Sequence, residues 1–265
     1  MRRSVRWRLA LVGVLLAAGM ALALRAASAA RTTRLLLFVG AASKPPMLEA
    51  EAAYKKANPN VVLDITFGGS GTLLNQMTLE RTGDIYMPGS DDYMDKAVKQ
   101  KAVIPSTRKI VAYLVPAICV QKGNPKRIRS LGDLARPGIT VGLAKAGAVC
   151  LGDVSDEILR KAKLKAQVKK NVITYAGSCE QTQQLVQLGE VDAVIGWDSF
   201  KHWAPDKIDI VPIPRQYLRV RNVPAAVAVY SKQRQASERF IRFLTSKQGQ
   251  AIFSKHGYPT KPPKI

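Results

Sequence analysis

Val61-Val62-Leu63-Asp64-Ile65-Thr66-Phe67-Gly68-Gly69-Ser70-Gly71-Thr72 runs an apolar strand into a glycine-flanked serine that opens a helix. Upstream, Leu35-Leu36-Leu37-Phe38-Val39-Gly40-Ala41-Ala42-Ser43-Lys44-Pro45 does the same. A helix N-terminus presents unpaired N–H groups at the positive end of the peptide dipole, so it can hold an anion without any charged side chain. Two such ends facing one cleft make a tetrahedral oxyanion site. Ser43 with Pro45 behind it suits a helix cap, because serine accepts from orphan N–H groups and proline tolerates the first helical turn. Around Ser70, three glycines let backbone come very close to a ligand or fold a tight turn. The segment lacks the Lys-Ser/Thr pair of a nucleotide phosphate loop. Thr72 also stands where a nucleophile elbow has its second glycine.

Outward from these two stretches, β-rich apolar runs alternate with helical ones. Strands are expected over 35–40, 61–67, 85–87, 111–121, 139–143, 172–175, 193–197, 208–212 and 225–230. Helices are expected over 46–57, 71–79, 91–100, 152–162, 179–189 and 237–256. This alternation is that of a layered α/β fold with helices covering a mostly parallel sheet. The run 109–120 is long for one strand, and Pro116 interrupts its hydrogen-bonding ladder, so the chain is expected to leave one sheet there and enter another. Pro212, Pro214 and Pro224 bracket a return. The expectation is therefore two lobes, 30–112 with 220–265 and 113–219, over a two-stranded hinge with a ligand cleft between them.

The N-terminus sets the compartment. Arg2, Arg3, Arg6 and Arg8 precede an apolar run over 9–24, and Ala27-Ser28-Ala29 supplies small residues for a signal peptidase. Residues 1–29 are expected to be a cleaved leader, the run being shorter than the roughly 20 apolar residues of a bilayer span. The product is expected in the periplasm. The net charge is +22, or +17 without the arginines at 2, 3, 6, 8 and 25. A basic surface suits nucleic acid, anionic membrane or small anions. Export argues against the first, and the densest run, 161–170, reads as a solvated helix face; no nucleic-acid partner is expected.

Of the three cysteines, Cys150 and Cys179 each follow a strand and start a helix in what reads as the same lobe, so an oxidising compartment would pair them in a disulfide. Cys119, inside an apolar strand, reads as a small buried hydrophobe. His202 and His256 lie in polar segments far along the chain, which leaves a Ser70 hydrolase without an obvious base. No C-x-x-C, H-x-x-x-H or dense carboxylate cluster offers side-chain metal ligands. Asp91, Asp92 and Asp95 read as the acidic first turn of a helix capped at Ser90, and Asp84 as a structural strand-end residue.

The Ala41-Ala42-Ser43 strand end, Phe67-Gly68-Gly69-Ser70-Gly71-Thr72-Leu73, Gly83-Asp84-Ile85 and Gly189-Glu190-Val191-Asp192-Ala193 together resemble the periplasmic molybdate/tungstate-binding proteins of ABC importers, from about Leu35 to the C-terminus. The resemblance implies a two-lobe periplasmic-binding-protein fold, no enzymatic activity, no cofactor, a monomer, and a membrane permease as partner. It implies that Ser43 and Ser70, with Gly71, bind the oxyanion through hydroxyl and backbone N–H, joined by amides near Leu151 and Cys179. Where the family has a tyrosine, this chain has Trp197 followed by Asp198; an indole N–H cannot donate from the same place as a phenol. Lys44 and Lys145 are candidates for added positive charge, which would suit the alternative ligand class, an organic acid or phosphorylated metabolite.

Overall fold

The computed structural model describes residues 32–264; the expected leader lies outside them. Two five-stranded sheets are built from ten strands, in the orders β2-β1-β3-β10-β4 and β7-β6-β8-β5-β9. The first holds β1 (Thr33–Gly40), β2 (Val61–Gly68), β3 (Ile85–Met87), β4 (Lys109–Leu114) and β10 (Arg221–Val227). The second holds β5 (Pro116–Gln121), β6 (Val141–Ala144), β7 (Val172–Ala176), β8 (Ala193–Trp197) and β9 (Ile208–Pro212). The helices are α1 (Lys44–Ala57), α2 (Ser70–Glu80), α3 (Asp91–Lys99), α4 (Cys150–Lys161), α5 (Lys165–Lys169), α6 (Cys179–Gln187), α7 (Phe200–Trp203), α8 (Arg234–Leu244) and α9 (Lys247–Lys255).

Strand position explains strand composition. Central β1 and β8 are covered on both faces, which is why Leu35, Leu37, Phe38 and Val39, and all of Ala193–Trp197, are apolar runs without alternation. Edge strand β7 alternates, leaving Ile173 and Tyr175 exposed. One face of the first sheet packs Phe38, Tyr86 and Ala226 on Leu74 and Met77 of α2 and Met94 and Ala97 of α3. The larger core runs from the opposite face of that sheet into the second. Asp84 has the structural role read for it, accepting from Leu36 N–H at 2.8 Å and from Ser231 Oγ at 2.5 Å.

The long apolar run divides at Val115: β4 pairs with β10 in the first sheet, and β5 pairs with β8 and β9 in the second. Pro116 opens β5, so its missing N–H falls at the switch between sheets. The chain returns between β9 and β10. Two lobes thus face each other across a cleft with two covalent crossings. The expected helix over 237–256 is two helices, α8 and α9. Ser246 starts the second by accepting from Gly249 N–H, a cap that competes with continuation of the first.

Candidate functional site

Both parallel strands that open the first lobe end at the cleft, and each delivers a serine there. β1 ends at Gly40, a 3₁₀ turn covers Ala41–Ser43, and α1 begins at Lys44. Ser43 occupies the cap position, but its side chain makes no capping hydrogen bond. The cause is in the sequence. A cap hydroxyl accepts from the second or third helical N–H, and here those positions are Pro45 and Pro46, which have none. Ser43 Oγ is fully buried and has no partner among the described residues.

Ser70 is the first residue of α2, the cap position being held by Gly69. Its Oγ accepts from Gly89 N–H at 3.0 Å and reaches the thiol of Cys150 in the second lobe. The glycines around it serve closure. Gly71 N–H donates 2.9 Å across the cleft to Ala148 O. A Cβ on Gly71 would lie 2.5 Å from Gly147 O, and one on Gly69 2.6 Å from Ala148 O. Close backbone approach was expected toward a ligand; in this closed arrangement it is toward the facing lobe.

The second lobe brings Cys150 and Cys179 to the same place, each the first residue of its helix and each buried. The expected disulfide is not formed: both are free cysteines. Cys150 Sγ lies against Gly89 of the first lobe, and Cys179 Sγ lies against Trp197. Trp197 Nε1 donates to Cys179 Sγ at 3.4 Å, so the indole supports a thiol. The backbone of Ala42 also meets Cys179. The hydrogen bond with Cys179 holds Cys150 below the ordinary thiol range, and the same contact with burial lifts Cys179 above it. Leu151 N–H, one of the expected ligand amides, faces Cys150.

The charged candidates point elsewhere. Lys44 Nζ donates to Glu180 Oε1 across the cleft at 2.7 Å, and Lys145 is exposed. Asp198, directly after Trp197, has a buried Oδ1 with no partner among the described residues, and burial pushes its carboxyl up to about 6. His256 pairs with Glu49 at 2.8 Å and His202 packs against Gly257, while Ser70 has Gly89 and Cys150 as neighbours.

Several residues that hold the cleft shut were not singled out from the sequence. Tyr93 Oη donates to Asp153 Oδ2 at 2.7 Å from α3 to α4. Arg221 on β10 binds Glu157 Oε2 at 2.7 Å and Asp92 Oδ2 at 2.8 Å, and Arg219 binds Glu157 as well. Burial raises Glu157, but the two guanidiniums outweigh it and the carboxyl lies below its usual range. Tyr258 donates to Ala42 O and accepts from Trp203 Nε1 of the second lobe. Their only sequence trace is charge complementarity between distant segments, which does not by itself pair them.

Among the described residues no group of three or more His, Cys, Asp or Glu could hold a metal ion, and no helix is long and apolar enough to cross a membrane. Molybdate-binding protein ModA of Mycobacterium tuberculosis is 24% identical over 224 residues, covering 84% of this chain and 84% of that protein. The sulfate-binding protein SubI of the same organism superimposes with a TM-score of 0.76 at 20% identity, covering 87% of this chain and 88% of SubI. AfuA of Actinobacillus pleuropneumoniae, solved with fructose-6-phosphate bound, gives 0.73 at 14% identity over 86% and 85% of the two chains. The two solved structures share the fold of this chain, and the three proteins differ in the ligand named for them. The family model described as bacterial extracellular solute-binding protein matches residues 35–259, and the chain belongs to that family.

Proposed function

We propose that the protein captures a small tetrahedral oxyanion, of the molybdate or tungstate type, and presents it in the closed form to a membrane ABC permease. One observation carries the reading: Ser43 Oγ is buried at a helix start that Pro45 and Pro46 leave without an amide for it. A buried hydroxyl without a partner costs stability, so a ligand that accepts from it restores what the helix cannot. Ser70 approaches from a second helix start, and α4 and α6 bring two more from the other lobe, with Gly71, Leu151 and Cys179 as the amides to be turned toward the ligand. Trp197 orients Cys179, and Asp198 stands behind it. Four helix ends that offer amides and hydroxyls favour a compact dianion, with cavity radius separating large oxyanions from sulfate. Lys44, committed to Glu180, and Lys145, in solvent, do not add the charge that a phosphorylated metabolite or organic acid would use.

On this reading the chain works outside the cytoplasm as a monomer and not as an enzyme, with Val115 and the β9–β10 crossing as its hinge. The ligand shifts the open and closed populations by its differential affinity. Calorimetric titration of the purified protein with molybdate, tungstate, sulfate, phosphate and citrate tests it. Heat with the first two and none with sulfate is expected; heat with phosphate or citrate alone replaces it with the organic-acid or phosphorylated-ligand reading.

A further inference from the structure

Opening the cleft has to part α3 of the first lobe from α4 of the second, and the groups that join them come in two adjoining turns of α4. Asp153 and Glu157 stand at i and i+4, so they share one helix face. Tyr93 Oη donates to Asp153 Oδ2 at 2.7 Å, while Gly147 N–H of the second lobe holds Asp153 Oδ1 at 2.8 Å. One turn on, four charges alternate in a row: Asp92 of α3, Arg221 of β10, Glu157 of α4, and Arg219 on the return from the second lobe. Arg221 Nε meets Asp92 Oδ2 at 2.8 Å inside the first lobe, and its Nη2 crosses to Glu157 Oε2 at 2.7 Å.

The bond that crosses is the middle one of the row. Cutting it leaves Arg221 with Asp92 and Glu157 with Arg219, so each half stays neutral. Breaking a sheltered ion pair is costly chiefly because it strands a charge, and this row strands none. The same row also reaches toward the site. A Cβ on Gly71 would stand 2.9 Å from the Tyr93 ring, and Gly71 N–H donates across the cleft to Ala148 O. Every partner in these contacts belongs to the chain itself, so the attraction between the lobes does not depend on a guest.

We propose that the lobes close on their own, with Arg221 as the positioning residue of that closure, and that the strength of its bond to Glu157 sets the affinity of the site. The apparent affinity of a ligand that binds the closed form is its intrinsic affinity multiplied by the closed fraction of the free protein. Arg221 raises that fraction. The inference rests on the two-lobe fold and not on the oxyanion reading.

Small-angle X-ray scattering of the purified protein, in Tris-chloride buffer free of oxyanions, tests it. The wild type is expected to scatter as the closed molecule. Arg221→Ala should have a larger radius of gyration, and Glu157→Gln, which cuts the same row at a half-exposed position of the other lobe, should expand the molecule as well. Arg34→Ala, whose ion pair with Asp64 joins β1 to β2 inside one lobe, should leave the radius unchanged. Melting curves show that each variant is folded; should Arg221→Ala not fold, Glu157→Gln carries the test. In calorimetry the latch variants should bind molybdate roughly 3- to 10-fold more weakly, the fall in closed fraction expected for one lost ion pair. A wild type that scatters as an open molecule, latch variants as compact as the wild type, or equal expansion in Arg34→Ala each overturns the proposal. Molybdate heat from a free wild type that is open sinks this inference alone; a compact free wild type that gives no heat with molybdate or tungstate sinks the oxyanion reading alone.

Discussion

The two walls of the cleft are built from the same device, a strand running into a helix N-terminus, yet they handle their polar groups in opposite ways. The first wall keeps a hydroxyl in reserve: Ser43 has no acceptor or donor of its own, while Ser70 is lent to Gly89 N–H. The second wall spends its ligand-facing groups on itself, Trp197 Nε1 donating to Cys179 Sγ within a packed core, and its orphaned groups, Asp198 Oδ1 and Ser199 Oγ, lie behind Trp197 in sequence. A wall with an orphaned group is prepared for a guest. A wall whose facing groups are bonded to each other is prepared for rigidity, and it can meet a guest only with its amides.

The contrast breaks first at Trp197. Trp197→Ala removes a fully buried ring from the second wall and is expected to lower stability by about 3–5 kcal/mol, read from urea unfolding. A small loss would mean that this wall is not a packed unit. Next to it, Asp198 tests the cost of the same burial. Its carboxyl, displaced from 3.8 to about 6, binds its proton more tightly folded than unfolded, so stability falls as pH rises between those values and the whole cost is present at neutral pH. Asp198→Asn should therefore stabilise the protein by up to about 3 kcal/mol above pH 6. The gain should vanish below about pH 3, where both forms of the wild type are protonated; melting curves at the two pH extremes would show it.

On the first wall, Ser43→Ala and Ser70→Ala should separate binding from folding. Each is expected to weaken the oxyanion by roughly 1–3 kcal/mol in calorimetry. Only Ser70→Ala should also lower stability, because it strands Gly89 N–H, whereas Ser43→Ala removes a group that was already without a partner. Equal stability losses would erase the difference between the two serines. The smallest effect belongs to Glu180→Gln, which frees Lys44 beside the cleft: the half-exposed pair is worth at most about 1 kcal/mol, so dianion affinity should rise slightly and fall back with added salt.

How much of this was legible in the sequence follows the range of the forces involved. The strands were readable because central β1 and β8 are unbroken apolar runs, and Pro116 marked the change of sheet by its missing donor. The break between α8 and α9 was not, since both sides of Ser246 carry helical periodicity and only the Gly249 N–H bond shows where one helix stops. At the site, helix starts at Ser43, Ser70 and Cys179 could be read locally. The pairing read for Cys150 and Cys179 was wrong in its bond, since both are free, and that Gly71 spends its amide on Ala148 could not be read, because that contact depends on how two separately folded lobes come together.

The pair of prolines behind Ser43 has an effect on affinity that a survey of ligand contacts would overlook. In an ordinary capped helix a guest must compete with an internal amide for the serine oxygen, and part of its attraction is cancelled by the bond it displaces. Pro45 and Pro46 remove the competitor, so they tune recognition from inside the helix without ever touching what is recognised.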